Sequence, residues 1–151
     1  MARIYSVSFT DVAVTAAQDL FQIEANTVPI VILGCYISQN SDVADAAAEN
    51  LTIRLRQVTD ALSNVTAEVK LDQGDAAALA DLNINDTTQL TTGAVTLHVE
   101  VWNIAFPWVY LPPDELRPKI KVSDVMTVNL VSAPTDELTM SGTLYFKESS
   151  S

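Results

Sequence analysis

The chain has 151 residues, which suits one domain spanning 1–151 with a core large enough to need no disulfide or metal. Hydrophobic residues make up 48% and charged residues 18%, which excludes a disordered chain. The formal net charge is −11, from Asp+Glu 19 against Lys+Arg 8 with no basic stripe; this argues against nucleic acid or anionic lipid and favours a partner with basic patches.

The opening residues MARIYSVSF carry no long apolar segment, and no apolar run reaches the roughly 18 residues of a membrane-spanning helix. The expectation is a chain made in a cytoplasm, with no secretory signal and no membrane partner. Arg3–Phe9 alternates, with Tyr5, Val7 and Phe9 on one face, and predicts a first strand. Ala13–Ala25 also reads as strand, with Phe21, Ile23 and Ala25 opposite Gln22 and Glu24, although Ala16, Ala17 and Gln18 are compatible with the start of a short helix.

Val28–Ser38 is apolar on both faces, which predicts a strand covered on both sides. Gly34 within it marks a bulge or a close backbone approach. The single cysteine, Cys35, reads as a buried thiol. Ser41–Glu49 is rich in alanine and acid and predicts a loop with a helical turn; its acidic side chains Asp42, Asp45 and Glu49 read as a solvated face. Asn50–Val58 alternates again, with Leu51, Ile53 and Leu55 inward and Thr52, Arg54 and Arg56 outward.

Val58–Leu71 is weaker, with partial alternation from Val65. Asp72–Asp81 predicts a short helix capped by Asp75, whose carboxylate can accept free N–H groups of the first turn. Asn83–Gly93 reads as a polar loop. Within that region Asp81–Asp86, DLNIND, matches the first half of a calcium loop, but Asp86 stands where the loop needs glycine and Thr92 where it needs glutamate, so a solvated loop is the simpler reading. Asn50, Asn64 and Asn85 each begin an N-x-T sequon, read as coincidence in a chain without a leader.

Ala94–Ile104, AVTLHVEVWNI, has the clearest pattern. Val95, Leu97, Val99 and Val101 fall on one side, and Thr96, His98 and Glu100 on the other, predicting a half-buried strand with its valines inward. Phe106–Leu111 is the most aromatic stretch and is stopped by Pro112 and Pro113. Asp114–Pro118 predicts a tight corner. Lys119–Val131 places Val122, Met126, Val128 and Leu130 on one face, Ser132–Glu137 a turn, and Leu138–Lys147 a closing strand with Leu138, Met140, Leu144 and Phe146 inward. Asp124–Val131 and Leu138–Lys147 form the best hairpin candidate, and Ser149–Ser151 should fray. The sum is roughly seven to nine strands with one or two short helical segments. The expected fold class is all-β, an antiparallel β-sandwich of jelly-roll character.

Reactive groups are few. His98 is the only histidine, and one histidine cannot build a multi-histidine metal site. A Cys35–His98 thiolate–imidazole pair has no support in the spacing, and the chain has neither a glycine-rich phosphate loop nor a GxSxG elbow. The expectation is therefore no enzyme, no cofactor and no metal. Trp102, Ile104, Phe106, Trp108 and Tyr110 form an aromatic-rich band that reads either as core or as a contact surface; with Trp102 or Trp108 as stacking platform, the same band suits an alternative role as a carbohydrate-binding or adhesion module.

Four stretches carry a family resemblance: RIYSVSFTDVAVTAAQDLFQI, VPIVILGCYISQ, LPPDELRP and SAPTDELTMSGTLYF. Together they resemble the small capsid decoration, cement or auxiliary head proteins of tailed bacteriophages. The resemblance implies a jelly-roll-like subunit on the outer surface of a virion, a homotrimer docked on the major capsid protein lattice and clamping it against internal pressure. On that reading the expected contact residues are Trp108, Tyr110, Leu111, Pro113, Glu115 and Arg117.

Overall fold

The computed structural model describes residues 3–41, 49–62 and 64–149. Two antiparallel sheets pack face to face, built from β1 (Arg3–Val14), β2 (Gln18–Glu24), β3 (Ile30–Gln39), β4 (Asn50–Val58), β5 (Val69–Lys70), β6 (Asp81–Asp86), β7 (Val95–Asn103), β8 (Trp108–Tyr110), β9 (Lys119–Ile120), β10 (Val125–Leu130) and β11 (Leu138–Glu148). One sheet has the order β5-β1-β11-β3-β8, with β9 also on β3; the other has the order β6-β2-β10-β4-β7. Without the short strands β5, β6 and β9, every connection changes sheets except β4 to β7. That winding is a jelly roll, and it confirms the all-β sandwich expected from the alternation.

The core forms because the alternating strands turn their apolar sides to the same interior. Tyr5, Val7 and Phe9 of β1, Ile32, Cys35 and Ile37 of β3, and Leu144 and Phe146 of β11 meet Phe21, Ile23, Ile53, Leu55 and Val128 of the second sheet, all buried. The Phe9 and Phe21 rings join the two sheets with centroids 5.2 Å apart. Gly142 makes room for this: a Cβ there would stand 2.7 Å from Ile37 Cδ1 and 3.0 Å from the Phe9 ring.

Several expectations change on the structure. β1 runs on to Val14 through a bulge between Phe9 and Val12, where Asp11 adopts a φ of 51° and its N–H donates to Ser141 Oγ at 3.0 Å. No helix begins at Ala16. β3 is covered on its inner face alone, since Val31 and Leu33 are half-buried and Tyr36 and Ser38 exposed. β10 is covered on both sides, buried at every residue, and β2 at all but Glu24; the second covered face of β10 carries Thr127 and Asn129, so hydropathy does not announce it. β10 and β11 form no hairpin: β10 pairs with β2 and β4, β11 with β1 and β3.

Residues 72–80 form turns rather than a helix. Asp75 caps nothing; instead Asp72 Oδ1 accepts from the Gly74 N–H at 2.9 Å and the Asp72 carbonyl from the Asp75 N–H at 3.0 Å. The only helical turn among the described residues is a 3-10 turn at Asp114–Leu116, where a tight corner was expected. DLNIND is strand β6, neither loop nor calcium half-site. Its Asn83 donates to Gln22 Oε1 at 3.1 Å and Asp86 Oδ2 at 3.0 Å. Asp42 and Asp45 lie outside the described residues, while Glu49 Oε1 accepts the Thr135 N–H at 2.7 Å.

A polar layer lies on the outer side of the second sheet, under residues 86–92. Fully buried Asp19 accepts from the Leu90 N–H, Gln22 Nε2 and Asn129 Nδ2 at 2.9, 2.9 and 2.8 Å, with Arg56 Nη2 3.8 Å away. Arg56, expected to face water, is 5% exposed and donates to the Leu90 carbonyl at 3.0 Å.

Candidate binding surface

β7 and β8 sit one above the other at the same open end of the sandwich, each the last strand of its sheet. The turn at 103–107 carries the chain from one sheet to the other. It is fixed by Trp102 Nε1 donating to the Phe106 carbonyl at 2.6 Å and the Phe106 N–H donating to the Asn103 carbonyl at 3.1 Å. The turn leaves the Phe106 ring in solvent while Ile104 stays buried.

The valine pattern of β7 is real, but its orientation is the reverse of the expected one. Val99 pairs opposite Arg54 and Val101 opposite Thr52, the outward residues of β4, so both valines point to solvent, and Val101 is 70% exposed. Glu100 pairs opposite Ile53 and His98 opposite Leu55, the inward residues. A bulge adds Leu97 between the pairs His98–Leu55 and Thr96–Arg56, and Leu97 joins His98 on the inner side. The polar side of the strand therefore faces the mouth of the sandwich, and two apolar side chains face water.

That mouth is a cleft of about 370 Å³ between β7 and the segment 109–116. Its walls are Leu97, Val109, Leu111, Pro112, Pro113 and Leu116, with His98, Glu100 and Tyr110 completing the lining. Three rings adjoin below: His98 packs tilted against Tyr110, with centroids 4.6 Å apart and planes at 42°, and Trp108 stacks on Tyr110, with centroids 6.0 Å apart and planes 3° from parallel. Glu100 Oε2 ties the ladder together, accepting from Trp108 Nε1 at 3.0 Å and meeting His98 Nε2 at 2.8 Å. Burial first, and the Glu100 charge second, push the Tyr110 phenol above its ordinary value, so it stays protonated.

The expected contact residues divide between interior and surface. Trp108 and Tyr110 are buried, supporting the cleft from below. Leu111, Pro113 and Glu115 are exposed, Leu111 by 59%. Arg117 is half-buried and ion-paired with Asp114. Trp102 is buried as well, so neither indole offers an open face on which a sugar can stack. Sequence reasoning missed Leu97, Val99, Val101 and Leu116, and assigned the valines to the core.

Exposed large hydrophobics concentrate here: among the described residues, 8 of 15 (Val95, Leu97, Val99, Val101, Phe106, Val109, Leu111 and Leu116) belong to segment 95–116. They fall into two sets: Leu97, Val109, Leu111 and Leu116 line the cleft, whereas Val99 and Val101 point outward from the second sheet.

The backbone under this surface is closely fitted. A Cβ at Gly34 would stand 2.6 Å from Leu111 Cδ2 and 3.1 Å from the Tyr110 carbonyl oxygen, so β3 and β8 meet closely where the β3 bulge falls. Both readings of Gly34 are correct: bulge and close approach. Cys35 is fully buried beside it, pairs opposite Tyr110, and has its thiol pKa pushed far up by burial. Among the described residues, no group of three or more His, Cys, Asp or Glu side chains is placed to hold a metal ion.

Fold and surface together define a class: a jelly-roll domain with exposed apolar side chains along its β7–β8 end. The chain matches no protein-family model, and no curated protein is similar to it in sequence.

Proposed function

We propose that the protein is a structural virion component that decorates and stabilises a phage capsid, binding the outer surface of the major capsid protein lattice as a homotrimer. The observation that carries this reading is the apolar rim of segment 95–116, held on a rigid sandwich edge. A surface of that kind needs a partner, and a stiff scaffold loses little entropy when it docks. The net charge of −11 favours a partner with basic patches. The sequence resemblance to decoration proteins supplies the capsid as that partner.

Its mechanism is mass action. A protein that binds only the assembled shell stabilises it by RT ln(1 + [L]/Kd), about 2.7 kcal/mol per site at a hundredfold excess over Kd. Many sites on one shell multiply the effect. The test is co-sedimentation with empty expanded heads. Saturable binding, together with a higher temperature of shell disruption, supports the reading; no co-sedimentation at saturating protein overturns it.

A further inference from the structure

We infer that the cleft between β7 and segment 109–116 takes an arginine side chain from the surface on which the protein docks. The inference rests on the decoration reading and names the chemistry of its contact.

Three features of the cleft select that group. First, Glu100 is a preset acceptor. Its Oε2 is used by His98 and Trp108, at 2.8 and 3.0 Å, while Oε1 has no hydrogen bond to the described residues, and the side chain is 43% exposed. One oxygen anchors the carboxylate and leaves the other to accept from a donor that arrives already charged. Second, Glu100 is the only acidic side chain of the lining, and no lysine or arginine lines the cleft. Arg117, next to the rim residue Leu116, is already paired with Asp114. An anion is repelled here and a cation attracted, in line with the acidic chain as a whole.

Third, the walls distinguish arginine from a small hydrated cation. Leu97, Leu111 and Leu116 offer apolar surface to a methylene stem, and the His98 and Tyr110 rings, tilted 42° to each other, offer aromatic surface beside the carboxylate to a planar guanidinium. A guanidinium is weakly hydrated and forks onto a carboxylate, whereas an ammonium is a strongly hydrated point charge, so arginine fits better than lysine.

The experiment has two arms. In the first, wild type and Glu100→Gln are titrated against empty expanded heads at low and high salt, with thermal unfolding measured in parallel. The expected result is about a tenfold loss of affinity for Glu100→Gln, the scale of one charge-assisted hydrogen bond, with a flattened salt dependence and unchanged unfolding. Equal affinity and equal salt dependence overturn the inference and leave the decoration reading standing.

The second arm needs no shell. N-acetyl-arginine amide is added to the protein while the His98 ring protons are followed by NMR, with the lysine analogue and Glu100→Gln as controls. A saturable shift with the arginine probe, weaker with lysine and lost in Glu100→Gln, supports the inference even if the shells are not bound. No shift at tens of millimolar probe overturns it.

Discussion

The Asp19–Arg56 pair offers the sharpest test of the energetics. Asp19 is fully buried, Arg56 nearly so, and the carboxylate also holds the Leu90 N–H, Gln22 and Asn129. Burial pushes the Asp19 carboxyl above its ordinary value, against the pull of its hydrogen bonds and of Arg56, and burial pushes the Arg56 guanidinium down. Both directions mean that desolvation outweighs the mutual attraction, as expected for ions 3.8 Å apart and out of water. The pair is thus a poor source of net stability, yet removing one member leaves the other buried and uncompensated.

Asp19→Ala should therefore cost about 3–5 kcal/mol, roughly a fifth or more of the ~5–15 kcal/mol that holds a typical domain folded. At about 2–4 °C per kcal/mol for a chain of this size, Tm falls by roughly 6–20 °C. Asp19→Leu combined with Arg56→Leu should recover only the part of the loss that comes from the uncompensated Arg56 charge, because the Leu90 N–H, Gln22 and Asn129 stay unpartnered. Urea and thermal unfolding followed by circular dichroism measure both. A single variant within about 0.5 kcal/mol of wild type would show that the buried layer does not hold Arg56 as described. The pH dependence has a definite sign: because the folded pKa is raised, the contribution of Asp19 is full below about pH 3.9, the ordinary carboxylate value, and declines as pH rises through the folded pKa.

Asp60 should behave in the opposite way. Its carboxylate accepts the Thr91 and Thr92 N–H groups, both at 2.8 Å, and hydrogen bonding to Thr92 holds its pKa down. The stability gap between wild type and Asp60→Asn should be full above about pH 3.9 and close as pH falls through the depressed value, which acid titration of unfolding measures. Gly142→Ala should cost about 1–3 kcal/mol by overpacking, because Ile37 and Phe9 are buried and cannot retreat; Gly34→Ala should cost less in urea unfolding, because the nearest obstacle is the exposed Leu111 tip. Cys35 should ignore a disulfide reagent in the native protein and react fully in denaturant, since the buried thiol forms no thiolate at neutral pH.

Alternation made the strands of the sandwich legible in the sequence, because inward residues such as Leu51, Ile53 and Leu55 repeat at a period of two. It carries no information on which face of a strand meets the core. For β7 the apolar side was assigned inward, whereas the bulge at Leu97 and the position at a sheet edge put Val99 and Val101 in water. Strand β6 was hidden because its neighbours Asp19 and Gln22 belong to a polar layer rather than an apolar one. The β10–β11 hairpin failed for a topological reason: a short connection spans the roughly 10 Å between packed sheets as readily as it turns within one. Of the expected contact residues, Leu111, Pro113 and Glu115 lie exposed around the double proline that ends β8. Glu100 was not singled out, because its neighbours Trp108 and Tyr110 lie on a different strand.

Imaging of empty expanded heads saturated with the protein tests the central claim most directly. The account predicts regular surface density with segment 95–116 turned toward the shell, and its loss when Leu111 and Leu116 are both changed to aspartate. Ordered density with that segment facing away from the shell, or bare heads at saturating concentration, would contradict it.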